Sequence, residues 1–280
     1  MNVVSLMVPT LVFGLDLGSH PSDNCDAMPP SSISPAADDD AARVVHRRSP
    51  LISIDQLLFT YAQVERHAFS LKVDRLEIGN SEHVACIGPS GTGKTTLINL
   101  IAGILTPECG RITFDGTTIS NLDDARRRAL RISSIGLVFQ EFELLEYVTA
   151  LDNILLPYLI SDTLRRTPDI RVRAARLAES MRISHVLHRR PKRLSQGERQ
   201  RVAICRSMIT EPKLIIADEP TGNLDPETAD ITLDLLFNEI RKRDATLLMV
   251  THNHSVLDRF QRIIDMTELN ATCSTPILNH

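Results

Sequence analysis

The chain has 280 residues, enough for one large domain or two small ones with a hydrophobic core. Its composition is that of an ordinary globular protein, and its formal net charge of −4 gives no support for binding to nucleic acid or to an anionic membrane surface. The 5 cysteines match no disulfide or metal-binding spacing, which favours a reducing, cytosolic compartment. No apolar run reaches the roughly 18 residues that a membrane-spanning helix needs.

The first 50 residues are predicted to form a disordered tail. Met1–Leu17 starts with an apolar stretch, but no basic segment precedes it, so a signal peptide is not expected. The residues from Gly18 to Pro50 are rich in Ser, Pro, Ala and Asp and bury too little apolar surface to fold. We therefore place the folded domain at residues 51–270, followed by a short tail at 271–280.

Strands and helices are predicted to alternate from Leu51 onward. Strands are predicted at Leu51–Phe59, Phe69–Ile78, Val84–Ile87, Arg111–Phe114 (closed by an Asp115-Gly116 turn), Ser134–Phe139, Leu214–Ala217 and Thr246–Val250. Helices are predicted from Lys94, and at Asp123–Arg131, Ala150–Tyr158, Arg171–Met181, Arg199–Ile209 and Thr228–Arg243. This order predicts an α/β fold with a mostly parallel sheet covered on both faces.

A phosphate-binding loop is predicted between the third strand and the first helix. The sequence Gly-Pro-Ser-Gly-Thr-Gly-Lys-Thr at positions 88–95 fits the P-loop pattern of nucleoside triphosphatases. Glycines allow backbone N–H groups to approach phosphate oxygens, and the following helix directs its positive end at them. Lys94 supplies a cation for the β- and γ-phosphates, and the Thr95 hydroxyl is a ligand for Mg²⁺. The nucleotide-binding residues predicted here are Gly88, Pro89, Ser90, Gly91, Thr92, Gly93, Lys94, Thr95 and Thr96.

Two carboxylates follow the apolar strand at Leu214–Ala217. A P-loop needs a carboxylate at a strand end to hold Mg²⁺, and Asp218 is placed to do so. Strand alternation predicts that Glu219 points to the other side, where it is the candidate general base for the attacking water. Kinases, GTPases, recombinases and transport ATPases all share these features.

The segment Leu194-Ser195-Gln196-Gly197-Glu198 separates these classes. Ser195 and Glu198 form a capping-box pattern before a helix, which could be its whole role. The segment also resembles the Leu-Ser-Gly-Gly-Gln signature of ABC-type ATPases, with departures at Gln196 and Glu198. The resemblance implies that Ser195 and Gly197 contact the γ-phosphate of ATP. It also implies a P-loop NTPase fold with an antiparallel β subdomain and a helical insertion at about residues 121–190.

Other elements of this family occur in the expected order between Leu51 and Arg262. Gln140 resembles the glutamine that reaches Mg²⁺ and the attacking water, and residues 223–225 resemble the D-loop. His252 resembles the switch histidine that contacts the γ-phosphate. Tyr61 is at the position that stacks on adenine, although simple packing is the alternative. The family usually ends with an Asp-Gly hairpin, which residues 263–268 lack, so an irregular last strand pair is expected.

The resemblance implies two kinds of partner. In this family the signature acts on ATP held by a second subunit, so we expect a homodimer, with Ser195 and Gly197 acting in trans. We expect a separate integral-membrane permease and no nucleic acid, which places the protein in the cytoplasm, on the inner face of the membrane. Residues 141–145 are the candidate permease contact, with ordinary loop packing as the alternative.

The D-loop region at Thr221–Asp225 and the segments Val138–Gln140, Leu144-Leu145 and Leu151–Ile154 are similar to lipoprotein-releasing, macrolide-exporting and cell-division ATPases. We therefore expect an ATPase coupled to a permease of that group. The alternative is the ATPase subunit of a polar amino-acid importer. Chromosome-maintenance ATPases would need a long coiled coil, and translation factors of the superfamily would need two ATPase domains, so neither class fits. The chain ends soon after His252, so no appended regulatory domain is expected.

Overall fold

The computed structural model describes residues 49–61 and 69–270, all of which belong to one unit of the chain. The predicted tail at 1–50 lies outside the described residues except for its last two residues, and the predicted tail at 271–280 lies outside them entirely. The strands are β1 Ile52–Thr60, β2 Ser70–Ile78, β3 His83–Ile87, β4 Cys109–Phe114, β5 Thr117–Thr118, β6 Ile135–Phe139, β7 Leu214–Asp218, β8 Thr246–Val250 and β9 Arg262–Asp265. The α-helices are α1 Lys94–Ile101, α2 Asp124–Ser134, α3 Ala150–Ile160, α4 Asp169–Ser180, α5 Gln196–Met208, α6 Pro226–Lys242 and α7 Met266–Asn270. Short 3₁₀ turns lie at Ile119–Asn121, Ser184–Val186, Pro191–Arg193 and His254–Arg259.

The strands form two sheets. Five parallel strands have the order β6-β7-β8-β3-β9, and four antiparallel strands have the order β2-β1-β4-β5. The predicted Asp115-Gly116 turn joins β4 to β5, and both residues have the positive φ that such a turn requires (48° and 76°). The predicted α/β fold with a parallel core sheet and an antiparallel subdomain is therefore confirmed.

The parallel sheet is buried on both faces, which explains its continuous apolar strands. Ile215 and Ala217 of β7 face a core shared with α3, α4, α5 and α6. Leu214 and Ile216 face the opposite core, shared with α1 and the antiparallel sheet. Because side chains alternate along a strand, one short apolar run supplies both layers. Cys86 of β3 is fully buried in the second core, and burial raises the pKa of its thiol to about 12, so the predicted packing role is confirmed.

Two segments differ in detail from the sequence predictions. Residues 121–190 are not wholly helical, because they contain β6, an edge strand of the parallel sheet. The helices α3 and α4 follow that strand and pack on α5. The expected irregular strand pair at the end is a single strand, β9, which pairs in parallel with β3 and is followed directly by α7.

Candidate functional site

Neighbouring parallel strands bring the predicted site residues to one edge of the sheet. Phe139 at the end of β6 pairs with Asp218 at the end of β7, and Asp218 pairs with Val250 at the end of β8. The end of β3 lies beside β8. Because the carboxyl ends of parallel strands meet at one edge, the P-loop, the two carboxylates, Gln140 and His252 all emerge there.

The P-loop has the backbone geometry of an anion-binding turn. Gly88, Gly91 and Gly93 all have positive φ (145°, 83° and 98°). At Gly93 a side chain is also excluded by space, since a Cβ atom would lie 2.7 Å from the ring of Phe69. Helix α1 begins at Lys94, so its free N–H groups and the positive end of its dipole face the loop. The arrangement favours a bound anion such as a phosphate group.

The Lys94 ammonium closes over this loop. Its Nζ donates hydrogen bonds to the carbonyl oxygens of Gly88 at 2.7 Å and Pro89 at 2.8 Å. Thr92 Oγ1 also donates to the Pro89 carbonyl, at 2.9 Å. These bonds hold the Lys94 ammonium at the loop. There it can exchange its carbonyl partners for phosphate oxygens.

A cavity of about 450 Å³ lies at this edge of the sheet. Nine of the predicted site residues line it, together with two residues that were not predicted, Phe69 and Val250. The nine are Tyr61, Ser90, Gly91, Gly93, Lys94, Thr95, Thr96, Asp218 and Glu219. Gly88, Pro89 and Thr92 belong to the loop without lining the cavity.

Aromatic rings form the other end of the cavity. Tyr61 packs edge-on against Phe59 with ring centroids 4.9 Å apart, and its ring is 6.3 Å from that of Phe69. The Tyr61 hydroxyl accepts a hydrogen bond from Thr96 Oγ1 at 3.5 Å. Tyr61 is 37% exposed, so one part of the ring is packed and another is open for contact with a planar base.

A hydroxyl and a carboxylate meet inside the cavity. Thr95 Oγ1 donates to Asp218 Oδ2 at 3.3 Å. Burial raises the pKa of Asp218, and the nearby Glu219 charge raises it further, whereas the Thr95 hydrogen bond and Lys94 act in the opposite direction. Hydroxyl and carboxylate oxygens are the ligands that Mg²⁺ prefers, so the pair fits the predicted metal site.

Glu219 lines the same cavity as Asp218. The prediction that the two side chains point to opposite sides of the strand is therefore wrong. Strand β7 ends at Asp218, and Glu219 has a left-handed backbone (φ 45°). Its N–H donates to the carbonyl of Val250 at 3.0 Å, which holds the backbone in this turn. Glu219 Oε2 is 3.0 Å from His252 Nδ1, so the structure brings the predicted base and the predicted switch histidine into contact.

Gln140 is at the predicted edge of the sheet but does not line the cavity. Its side-chain amide donates to Asn223 Oδ1 at 3.3 Å, and Asn223 Nδ2 donates to the Gln140 carbonyl at 3.0 Å. Its amide also packs against Gly222, where a Cβ atom would lie 2.9 Å from Nε2. The structure therefore joins Gln140 to the predicted D-loop instead of to Thr95 and Asp218.

The signature segment lines a different cavity, of about 520 Å³, which shares no lining residue with the first. The predicted capping box is confirmed: Glu198 N donates to Ser195 Oγ at 3.2 Å, and Ser195 N donates to Glu198 Oε2 at 2.8 Å. Because Ser195 Oγ accepts the capping bond, its O–H remains free to donate. A Cβ atom at Gly197 would lie 2.4 Å from Thr228, so this close packing of α5 on α6 requires glycine.

Two buried polar side chains that sequence reasoning missed hold residues 142–145. Asn153 of α3 bonds both the N–H and the carbonyl of Leu145, and Arg206 of α5 donates to the carbonyls of Phe142 and Glu143. Burial lowers the pKa of Arg206 to about 10. The only signal in the sequence was a polar residue inside an otherwise apolar helical stretch.

In the part of the chain that the structure describes, no helix is long and apolar enough to cross a membrane. The same residues contain no group of three or more His, Cys, Asp or Glu side chains that could hold a metal ion. Of the three predicted metal ligands, Thr95 and Asp218 lie in contact, whereas Gln140 bonds Asn223.

Comparisons with known proteins agree with this geometry. The ABC transporter family matches residues 71–222. The lipoprotein-releasing system ATP-binding protein LolD of Geobacter metallireducens is 39% identical over 220 residues, which cover 78% of this chain and 97% of LolD. The dimeric ATP-binding cassette MJ0796, solved with bound ADP and phosphate, has a TM-score of 0.69 and 32% identity over 76% of this chain and 93% of that one.

The structure of cbiO1 from Clostridium perfringens, part of the ABC transporter complex cbiONQ, has a TM-score of 0.64. It is 29% identical, over 74% of this chain and 80% of that chain. The family match covers more than half of the described domain and includes the P-loop, the signature and both carboxylates. This chain therefore belongs to the ABC transporter family, as an ATP-binding and ATP-hydrolysing subunit.

Proposed function

We propose that the chain hydrolyses Mg²⁺-ATP as a homodimer and thereby drives a separate membrane permease of the lipoprotein-release or efflux type. The observation that carries this proposal is the division of the site. The P-loop, both carboxylates and His252 meet at one edge of the sheet, whereas Ser195 and Gly197 line a separate cavity. A second subunit is needed to bring the two halves onto one nucleotide.

The cavity residues would bind and orient the nucleotide. Tyr61 stacks on the adenine, and the N–H groups of the loop and of the first turn of α1 bind the phosphates. Lys94 exchanges its carbonyl partners for the β- and γ-phosphates. Thr95 and Asp218 would hold Mg²⁺, which neutralises phosphate charge when bound. Gln140 would join them only after it leaves Asn223.

The contact between Glu219 and His252 supports a role for both in hydrolysis. The Glu219 carboxylate accepts a proton from the water that attacks the γ-phosphate. His252 holds this carboxylate through Nδ1 and contacts the γ-phosphate through the remainder of its ring. The strained backbone of Glu219 fixes the direction of the carboxylate, since a left-handed residue has few alternative conformations.

The names of two relatives support the two proposed partners, a second ATPase subunit and a membrane permease. LolD is named as part of a lipoprotein-releasing system, and MJ0796 was solved as a dimer. We propose a permease contact at residues 141–145 and a location in the cytoplasm, on the inner face of the membrane. The polar amino-acid importer alternative has no relative in its favour among these proteins.

The Glu219→Gln variant tests the base. We expect ATP hydrolysis to fall by at least about 100-fold because the proton acceptor is lost, while ATP binding is kept. Size-exclusion chromatography should then show an ATP-dependent dimer. The matched control is Glu179→Gln, an exposed position on α4, which should hydrolyse ATP at the wild-type rate. Wild-type turnover by Glu219→Gln would refute the assignment.

Mixing two inactive variants tests the action of the signature in trans. Lys94→Ala removes the phosphate cation. Ser195→Asp keeps a good helix cap but places a negative charge against the γ-phosphate. A mixture contains mixed dimers with one intact site, so about a quarter of the sites should be active in a symmetric two-site dimer. If the mixture stays as inactive as each variant alone, the two halves of the site belong to the same subunit.

A further inference from the structure

The helix α7 lies against the first glycine of the P-loop. Strand β9 brings it there, because Asp265 pairs with Ile87, the residue directly before Gly88. Asp265 Oδ1 accepts hydrogen bonds from Thr267 N at 2.8 Å and from Thr267 Oγ1 at 2.6 Å, at the start of the helix. Met266 is fully buried, and a Cβ atom at Gly88 would lie 3.2 Å from its Cβ atom. The start of α7 therefore packs directly on the start of the P-loop.

The last residue of α7 bonds the outer edge of strand β2. Asn270 Oδ1 accepts from Lys72 N at 3.1 Å, and Asn270 Nδ2 donates to the carbonyl of Ser70 at 3.5 Å. Strand β2 is at the edge of its sheet, and its other side pairs with β1. Alternate residues of a strand direct their backbone groups to opposite sides, and the Phe69 carbonyl accepts from Tyr61 N on the β1 side. The Asn270 amide thus takes the place of a further strand at this edge.

The segment that Asn270 bonds forms the wall behind the last glycine of the P-loop. Phe69 and Leu71 are two residues apart, so their side chains lie on the same face of the chain. A Cβ atom at Gly93 would lie 2.7 Å from the Phe69 ring and 3.3 Å from Leu71 Cδ1. Leu71 is fully buried and lies between the two residues that Asn270 bonds. Because Gly93 directly precedes Lys94, this wall borders the point where helix α1 begins.

We propose that Asn270 is a positioning residue for ATP binding. Through the edge of β2 it holds the wall behind Gly93, while Met266 of the same helix packs on Gly88. Helix α7 thus supports the P-loop directly at one end and through β2 at the other. A loop that is already held in its binding conformation has less freedom to lose when it binds phosphates, so its affinity is higher. The inference rests on the nucleotide site of the proposed function and adds a supporting residue to it.

Protection of the sheet edge is the competing role for Asn270. An unpaired edge strand can pair with another chain, and proteins commonly cover such edges. If this were the only role, loss of Asn270 would lower the stability of the protein without changing the affinity of its folded form for ATP. The position of α7 favours the wider role, because edge protection does not require the contact of Met266 with Gly88.

The segment that departs from the family pattern is the one that makes these contacts. Residues 263–268 lack the Asp-Gly hairpin with which the family usually ends, and they form most of β9 and the start of α7 instead. The helix brings Asn270 onto the edge of β2, which is 198 residues away in sequence at Lys72.

Three single variants of the full-length protein test the proposal. Asn270→Ala removes both bonds to β2. Asn270→Asp keeps an acceptor for Lys72 N, the shorter of the two bonds, but loses the donor to the Ser70 carbonyl. The matched control is Glu268→Ala, an exposed position on the same helix. Each protein is titrated with the fluorescent analogue trinitrophenyl-ATP, its KM and kcat for Mg²⁺-ATP are measured, and urea unfolding shows that it is folded.

We expect Asn270→Ala to raise the Kd for trinitrophenyl-ATP and the KM for ATP by about three- to fivefold, since one lost hydrogen bond lowers the population of the binding-competent loop by about that factor. The kcat should stay within about twofold of the wild-type value, because a loss of uniform binding raises KM alone. Asn270→Asp should bind more tightly than Asn270→Ala, and Glu268→Ala should match the wild type.

Unchanged Kd and KM in folded Asn270→Ala would overturn the proposal and leave edge protection as the role of this residue. A fall in kcat at unchanged KM would also overturn it, because a smaller folded fraction has that effect. So would an equal rise of KM in Glu268→Ala. The titration needs neither hydrolysis nor a permease, so a wild-type protein that binds the analogue without hydrolysing ATP would contradict the proposed function and not this inference.

Discussion

The Asn153→Ala variant tests how the loop after β6 is held. Asn153 is fully buried in α3. Its Oδ1 accepts from Leu145 N at 2.8 Å, and its Nδ2 donates to the carbonyls of Leu145 at 3.1 Å and Thr149 at 3.0 Å. Alanine removes all three bonds and leaves the Leu145 N–H and carbonyl without these partners.

The expected cost follows from these bonds. A net contribution of about 1 kcal/mol for each hydrogen bond gives a loss of about 2–4 kcal/mol, with the higher values applying if water does not reach the orphaned groups. Leu145 is only partly buried, so water can replace some of the lost bonds. We therefore expect a loss of about 2–3 kcal/mol in the free energy of unfolding.

Urea unfolding followed by circular dichroism measures this loss. The matched control is Asn238→Ala, an exposed asparagine in helix α6, which should change the stability by less than about 0.5 kcal/mol. A loss below about 1 kcal/mol for Asn153→Ala would show that the three bonds do not stabilise the loop, because water would then replace them at no cost.

Two further substitutions test the P-loop and the metal-site carboxylate. Gly93→Ala should cost about 1–3 kcal/mol more than Gly91→Ala in urea unfolding, since both have positive φ but only a Cβ atom at position 93 meets a neighbour, the Phe69 ring. Equal losses would show that Phe69 gives way freely. Asp218→Asn should raise the stability of the nucleotide-free protein at pH 7. The folded-state pKa of Asp218 is raised, so wild-type stability falls relative to the variant as the pH rises from the ordinary aspartate pKa of 3.8 through the folded pKa, and the difference should vanish well below 3.8. A variant less stable than wild type at pH 7 would contradict this.

The strands that carry the site were predictable from local sequence. The apolar run of β7 ends at Asp218, and the apolar run of β3 leads directly into the glycines of the P-loop. Each pattern is local, because a buried strand needs consecutive apolar residues and a phosphate loop needs glycine at fixed positions. The Ser195–Glu198 capping box is equally local and was correctly predicted.

Other features depend on residues that are distant in the chain. The direction of Glu219 was wrongly predicted because the N–H bond to Val250 of β8 turns its backbone after β7. Gln140 is held by Asn223, which is 83 residues away in sequence. Neither contact leaves a periodic signal, since each involves a single pair of polar groups.

By itself, the sequence determined that this protein binds a nucleoside triphosphate, and its ordered motifs determined the family. Only the tertiary structure decided that Glu219 and His252 touch and that the signature lines a separate cavity. The physical reason is the distance along the chain over which each feature is specified. Helix caps, phosphate loops and buried strands are specified by neighbouring residues, whereas side-chain contacts at a sheet edge depend on the register of the strands and on helix packing across the whole domain.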